Sequence, residues 1–175
     1  STDLLPRYRE VRQLTERLSA LLSPEDQTAQ SMPDASPTKW HRAHTTWFFE
    51  EFLLKPAGHA AYDDTFAYLF NSYYEALGPR HPRAERGLVT RPSSAEVGRY
   101  RRHVDDAVEQ LEDLPADVFA LGLNHEQQHQ ELLVTDIKHV FWTNPLRPTY
   151  RPAGPDPRDG VHPGARDAAA ARDWH

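Results

Sequence analysis

The segment from Leu114 to Trp142 reads LPADVFALGLNHEQQHQELLVTDIKHVFW and predicts one long helix that opens after Leu114-Pro115. Apolar side chains lie on both sides of a polar run, NHEQQHQE, that occupies residues 124–131 in the middle of this helix. An apolar stripe packs a helix into a core, and a polar stretch at its centre is typical of a polar pocket inside a helical bundle. The apolar positions are Phe119, Leu123, Leu132, Leu133, Ile137 and Val140.

Three further main helices are predicted upstream of this segment. Apolar residues recur at steps of three and four over residues 4–22, which is the spacing of an amphipathic helix. Ser36 followed by proline predicts an N-cap and the start of a second helix over residues 37–54, since proline is favoured at the first helical position. A capping-box pattern at residues 93–96 opens a third helix that ends near residue 111.

The segments between these helices are predicted to be irregular. Residues 24–35 are predicted to be a loop, and residues 56–92 a long connection in which the aromatic-rich stretch 62–77 could form a short helix. No segment shows the alternation of a strand. The prediction is therefore an all-α four-helix bundle over residues 1–143, followed by a proline-rich tail or linker over residues 144–175.

The composition restricts the class of protein. A chain of 175 residues suits one domain with a real core. Its 20 Lys and Arg against 26 Asp and Glu give a net charge of −6, and the dispersed basic residues form no stripe for a nucleic-acid backbone. No apolar run approaches the roughly 18 residues of a membrane span, so we expect a cytoplasmic protein that binds neither nucleic acid nor membrane. Without cysteine, a metal must be held by His, Asp or Glu.

Two of the ten histidines, His125 and His129, lie four residues apart on the predicted fourth helix. Their imidazoles then project from one face and can share a metal ion. A third ligand is expected from the second helix, from either His41 or His44, because helical bundles build metal sites from facing helices. A pair of surface histidines on a polar helix is the alternative. Three neutral imidazoles do not distinguish iron(II) from zinc or other divalent metals.

The same segment also contains the pattern His-Glu-x-x-His, which is the signature of zinc peptidases. In such an enzyme Glu126 would be the general base that acts on a metal-bound water. Against this hypothesis, Gln127 and Gln128 fill the middle of the helix, and no downstream His or Glu has an obvious peptidase context. The hydrolase reading is therefore the weaker one.

Four motifs, in this order along the chain, resemble the N-terminal DinB-like domain of ergothioneine-type sulfoxide synthases. The resemblance covers roughly residues 28–150, and it is specific because separate motifs occur in the right order. The motifs are SPTKWHRAH at residues 36–44, FNSYY at 70–74, GPRHPR at 78–83 and LNHEQQHQE at 123–131. Selenoneine synthases are similar over the same stretch.

The resemblance implies a metal and a reaction. Sulfoxide synthases of this type are non-heme iron enzymes that use dioxygen to join the sulfur of γ-glutamylcysteine or cysteine to hercynine, a trimethylhistidine. Carried over by position, it implies that His44, His125 and His129 bind iron as Fe(II), and that His41 does not.

The resemblance also implies substrate-binding residues. Gln128, one turn from His125, matches the position that contacts hercynine. Arg83 and Arg86 match the arginines that hold the carboxylates of the thiol substrate, a task that suits a guanidinium fork. Arg80 is the substitute for either arginine.

Members of this family continue into a second domain, similar to formylglycine-generating enzymes, which supplies a catalytic tyrosine and most of the hercynine pocket. We therefore expect a partner domain of this kind, in cis or on another chain, and we expect residues 1–175 alone to bind metal with little or no complete turnover. Two other hypotheses are a stand-alone DinB-like metal-dependent thiol transferase and a non-enzymatic binding module.

Overall fold

The computed structural model of the chain describes residues 4–72 and 75–151. Within these ranges the chain forms helices and connections but no β-strand, so the predicted all-α fold class is confirmed. The DinB-like character of the bundle stays a prediction. The α-helices are α1 (Leu4–Ser19), α2 (Pro24–Thr28), α3 (Thr38–Phe49), α4 (Phe66–Phe70), α5 (Ser94–Glu109) and α6 (Ala116–Thr143). A π-helix (Glu50–Leu54) continues α3, and two 3-10 helices (Glu75–Leu77 and Arg83–Leu88) lie between α4 and α5.

The main helices α1, α3, α5 and α6 match the predicted ones, but two connections differ. Residues 24–35, predicted to be a loop, contain α2. This helix forms because Ser23 and Asp26 make a capping box, in which each backbone N–H donates to the other residue's side chain at 3.1 Å. The stretch 62–77 holds α4 and a separate 3-10 helix rather than one short helix.

The predicted N-cap at Ser36 is wrong. Helix α3 begins at Thr38 with Pro37 in the N-cap position and without a side-chain cap. The Ser36 hydroxyl instead accepts a hydrogen bond from Arg86 Nη1 at 2.9 Å, and the Ser36 backbone N–H donates to Asp136 Oδ2 at 3.0 Å. Ser36 therefore joins the second 3-10 helix and α6 to the start of α3.

Helix α3 lies at the centre of the bundle. Every residue from Thr38 to Phe49 is buried, and the helix packs against α5 on one side and α6 on another. A buried helix needs partners for its polar side chains. Arg42, for example, donates to the carboxylate of Glu16 on α1 and to the side chain of Gln27 on α2. The remaining polar face of α3 is turned toward α6.

A buried ionic network holds α1, α5 and α6 together on the other side of α6. The Glu126 carboxylate is fully buried and accepts hydrogen bonds from Arg12 Nη1 at 2.9 Å, Arg101 Nη2 at 2.8 Å and Thr15 Oγ1 at 2.7 Å. Burial alone would raise the pKa of Glu126, but Arg12 and Arg101 outweigh it and lower that pKa to about 2. Glu126 is therefore a stable carboxylate at neutral pH.

The close contact between α3 and α6 depends on Gly122. A Cβ atom at this position would lie 2.5 Å from Phe49 Cε1, so Gly122→Ala should overpack the core and lower the free energy of unfolding by about 1–3 kcal/mol. At Gly98 in α5, a Cβ would make only ordinary contacts, the nearest at 3.5 Å to Arg42 Nη2. Gly98→Ala should raise stability, by up to about 1 kcal/mol, through helix propensity. Urea denaturation of both variants measures the difference, and equal stability would contradict the packing argument.

The last described residues, 144–151, return toward α1, where Tyr150 Oη donates to the Leu18 carbonyl at 2.7 Å. With Phe141 they border an open apolar hollow of about 730 Å³, which includes none of the histidines discussed above. The remainder of the predicted tail, 152–175, lies outside the described residues, and the division of the chain near residue 143 stays a prediction. Among the helices of ranges 4–72 and 75–151, none combines the length and apolarity needed to cross a membrane.

Candidate metal centre

Three histidines from two helices converge at the interface of α3 and α6. His44 comes from α3, and His125 and His129 come from α6. One ring nitrogen from each lies within 4.8 Å of those from the other two, and the Nε2 atoms of His44 and His125 are 3.0 Å apart. Two nitrogens that bind one ion at about 2.0–2.1 Å, the bond length for zinc, lie at most about 4.2 Å apart, so the three rings are close enough to hold one ion after a small side-chain adjustment. The predicted convergence of the triad is therefore present.

The ring of His44 is fixed on three sides. Its Nδ1 lies 2.5 Å from the carbonyl oxygen of Phe70, at the end of α4. Trp40 stacks on the ring at a centroid distance of 4.4 Å, and Trp47 stacks at 5.7 Å. Because a carbonyl oxygen only accepts, the proton of His44 must be on Nδ1. Its Nε2 then carries a free lone pair that points to the other two histidines.

His125 presents its Nε2 to the same point. Its Nδ1 is buried and has no hydrogen-bond partner in the described part of the chain, and its ring packs near Phe48 at a centroid distance of 4.8 Å. Since the proton of His44 is on Nδ1, the 3.0 Å contact between the two Nε2 atoms requires something positive between them. Either an N–H of His125 or a bound cation satisfies that contact, so the donor set fits a metal ion.

His41 contacts the Nδ1 side of the His129 ring. The Nδ1 atoms of these two residues are 2.9 Å apart, and His41 Nε2 is 2.7 Å from Asp136 Oδ2. His41 is thus buried beside the triad without belonging to it. That His44 is the ligand from α3 stays a prediction.

The electrostatics of the site keep the three rings neutral. Burial lowers the pKa of His125 to about 4, although the nearby Glu126 carboxylate acts in the opposite direction. Burial, together with the neighbouring His125 ring, lowers the pKa of His44 well below its usual value. Burial and the nearby His44 do the same to His129. Neutral imidazoles are the form that binds a metal, so the lone pairs are available at neutral pH.

Two histidines of the triad, His125 and His129, line a cavity of about 350 Å³, whereas His44 is fully buried behind them. All three predicted substrate-binding residues, Gln128, Arg83 and Arg86, line it together with His125 and His129. Arg80, the alternative to the two arginines, is not among the described residues that line the cavity. The other lining residues are Asp34, Ser36, Trp40, His41, Ser72, Leu132 and Asp136.

The two arginines of the cavity are held differently. Arg86 is buried, and its guanidinium lies 3.5 Å from the centroid of the Trp40 ring, where it also donates to the Ser36 hydroxyl. Arg83 is half-exposed and donates through Nη2 to the backbone carbonyl of Asp34 at 2.7 Å. Arg86 therefore supplies a fixed positive charge and Arg83 an adjustable one.

The zinc-peptidase hypothesis is wrong. A general base must reach the metal-bound water, but Glu126 is fully buried in the ionic network with Arg12 and Arg101 and does not line the cavity. The cause is tertiary rather than helical, since α1 and α5 surround the Glu126 carboxylate with Arg12, Arg101 and Thr15. In this chain the two histidines of the His-Glu-x-x-His pattern belong to the candidate metal site, whereas its glutamate belongs to the ionic network.

Sequence reasoning missed Asp136 and Ser36 at this site. Asp136 lies seven residues after His129, which places it two turns further along the same face of α6. That spacing is a signal that could have identified it. For Ser36, the capping preference of serine gave a competing and simpler explanation.

A scan of the chain against protein-family models found no matching family, and a search of curated proteins found no significantly similar sequence.

Proposed function

We propose that this chain is the metal-binding part of a non-heme iron(II) sulfoxide synthase that joins a thiol, γ-glutamylcysteine or cysteine, to hercynine with dioxygen. One observation carries the proposal: three histidine nitrogens converge, and two of these histidines, His125 and His129, line a cavity that is also lined by Gln128, Arg83 and Arg86. The order of the four sequence motifs supports the same assignment. Selenium in place of sulfur is an alternative for the donor.

The metal would be held by His44, His125 and His129. Three protein ligands leave coordination positions open, and bound iron(II) would supply the activation of thiol and dioxygen. The helices α3 and α6 contribute rigidity, because the ligand rings are packed against Trp40, Trp47 and other buried groups. Such rigidity keeps the reacting groups in a fixed geometry.

The arginines would hold the substrates. The thiol substrates are carboxylates, and charge-assisted hydrogen bonds to Arg83 and Arg86 would orient their sulfur toward the histidines. The side-chain amide of Gln128 is exposed at the cavity wall, one turn from His125, where it can donate to or accept from hercynine. The stacked position of Arg86 on Trp40 favours a single orientation of its guanidinium.

A second candidate is metal-dependent thiol transfer without dioxygen, by a stand-alone DinB-like enzyme. It is favoured by one observation, namely that a single helical unit supplies both the histidines and the cavity. The experiment that separates the two supplies the iron-loaded chain with γ-glutamylcysteine and hercynine, with and without dioxygen. We expect little or no turnover until a formylglycine-generating-enzyme-like domain is added, and then only with dioxygen. Carbon–sulfur bond formation by the chain alone would contradict this expectation, and product formation without dioxygen would favour the transferase.

Substrate binding gives a direct test of the cavity. Arg83→Ala should weaken binding of γ-glutamylcysteine to the anaerobic iron-loaded chain by about 10- to 100-fold, because a hydrogen bond to a charged group contributes about 1.5–3 kcal/mol. Arg83 is the better choice for this test, since its half-exposed side chain is not part of the core. Calorimetric titration measures the affinity. The matched control is Arg80→Ala, outside the cavity lining, and an equal loss in both variants would contradict a specific role for Arg83.

A further inference from the structure

His41 and Asp136 form a hydrogen-bonded chain behind His129. His41 Nε2 lies 2.7 Å from Asp136 Oδ2, and His41 Nδ1 lies 2.9 Å from His129 Nδ1. His41 is 3% exposed, so water does not substitute for these contacts. Asp136 is itself fixed, because its Oδ2 also accepts from the Ser36 backbone N–H at 3.0 Å.

The proton positions in these hydrogen bonds follow from the Asp136 carboxylate, with which the series ends. A carboxylate only accepts hydrogen bonds, so His41 Nε2 must carry a proton and donate to Asp136. The other nitrogen of a neutral His41 is then an acceptor. The contact with His129 therefore requires the proton of His129 to be on Nδ1, which leaves its Nε2 with a free lone pair.

We propose that His41 and Asp136 are positioning residues for the metal centre, which fix the tautomer and ring orientation of His129 so that its Nε2 points to the metal. The inference rests on the metal site of the proposed function. Ligand histidines generally donate their second ring N–H to a carboxylate, carbonyl or water, and the partner orients the ring and increases its basicity. Here a second histidine is inserted between the ligand and the carboxylate.

The three histidines of the triad differ in the partner of their second ring nitrogen. His44 has its own anchor, the carbonyl of Phe70, and His125 has no partner for Nδ1 among residues 4–72 and 75–151. The hydrogen bonds of His41 to His129 and Asp136 are therefore the side-chain support of the triad. It also reaches the substrate cavity, since Ser36, which holds Asp136 through its N–H, accepts from Arg86 through its hydroxyl.

The test measures Co(II) binding to the full chain, by chelator competition and by the visible absorption of the bound ion. His41→Phe keeps a ring but removes the acceptor, and it should weaken Co(II) binding by about 10- to 100-fold and change the absorption spectrum. Asp136→Leu should weaken binding by about tenfold, because it frees the tautomer of His41. His41→Asn places an amide oxygen near the former Nδ1, so it should recover most of the affinity lost in His41→Phe.

The matched control is His139→Phe. His139 also lies on α6 and is held by a side-chain hydrogen bond, to Ser31 Oγ at 2.6 Å, but it is not part of the triad or of the cavity lining. Its variant should bind Co(II) as the unaltered chain does. Unaltered affinity and spectrum in His41→Phe or in Asp136→Leu would overturn the positioning role while leaving the metal site in place. Failure of the unaltered chain to bind Co(II) would instead overturn the metal site itself.

Discussion

Replacing His44 with alanine is expected to remove the metal from this protein. His44 is the only triad member on α3, and without it the two remaining rings come from a single helix. Loss of a direct ligand should exceed the 10- to 100-fold effect typical of an outer partner, so we expect at least about a 100-fold weaker affinity. Metal analysis of anaerobically purified protein, with iron as the expected metal, measures this. His129→Ala should have the same effect.

The control for this experiment is His103→Ala. His103 lies on α5, is exposed and packs beside Tyr62, so its loss should leave the metal content unchanged. Unchanged iron content in both His44→Ala and His129→Ala would remove the proposed site. A loss that also occurred in His103→Ala would point to unfolding rather than to a lost ligand.

Replacing Glu126 with alanine is expected to cause a large loss of stability. The variant leaves the guanidinium groups of Arg12 and Arg101 buried without the carboxylate between them. Removing one partner of a buried ion pair costs about 3–5 kcal/mol when the remaining charge is uncompensated. Arg12 keeps Asp105 and Arg101 keeps Glu16 as partners, so we expect a loss toward the lower end of that range. Glu126→Gln should cost less, since its amide oxygen can still accept a hydrogen bond. Urea denaturation at neutral pH gives the free energy of unfolding.

An exposed ion pair provides the comparison. Glu109 pairs with Arg9 at 2.8 Å between α5 and α1, but both side chains are more than a third exposed. Glu109→Ala should therefore lower the free energy of unfolding by less than about 1 kcal/mol. Comparable losses at Glu109 and Glu126 would show that burial does not govern the strength of these pairs.

The metal centre and the ionic network, where the two largest effects are expected, use different faces of α6. The polar run in α6 predicts one polar pocket inside the bundle, whereas the structure contains two polar environments. His125, Gln128 and His129 face the cavity, while Glu126 and Gln130 face the ionic network on α1 and α5. The hydrophobic pattern alone does not distinguish them, because both interrupt it in the same way.

Much of the candidate site was accessible from local sequence rules. The four-residue spacing of His125 and His129 places both rings on one face of a helix, and a facing helix supplies the third ring. The choice between His41 and His44 was not accessible from spacing alone, since both lie on the inner side of α3. The structure separates them, because His44 is placed opposite His125 and His41 opposite Asp136.

The sequence by itself determined the helices and the residues that can bind a metal, because helical periodicity and capping are local properties of a few neighbouring residues. Only the tertiary structure decided which polar group meets which. Ser36, for example, precedes a proline as an N-cap residue often does, but it forms hydrogen bonds with Arg86 and Asp136, which lie 50 and 100 residues away. Glu126 occupies the position of the general base in the His-Glu-x-x-His pattern, but it pairs with Arg12 and Arg101. Buried polar groups take the partner that packing brings within reach, and packing depends on the whole chain.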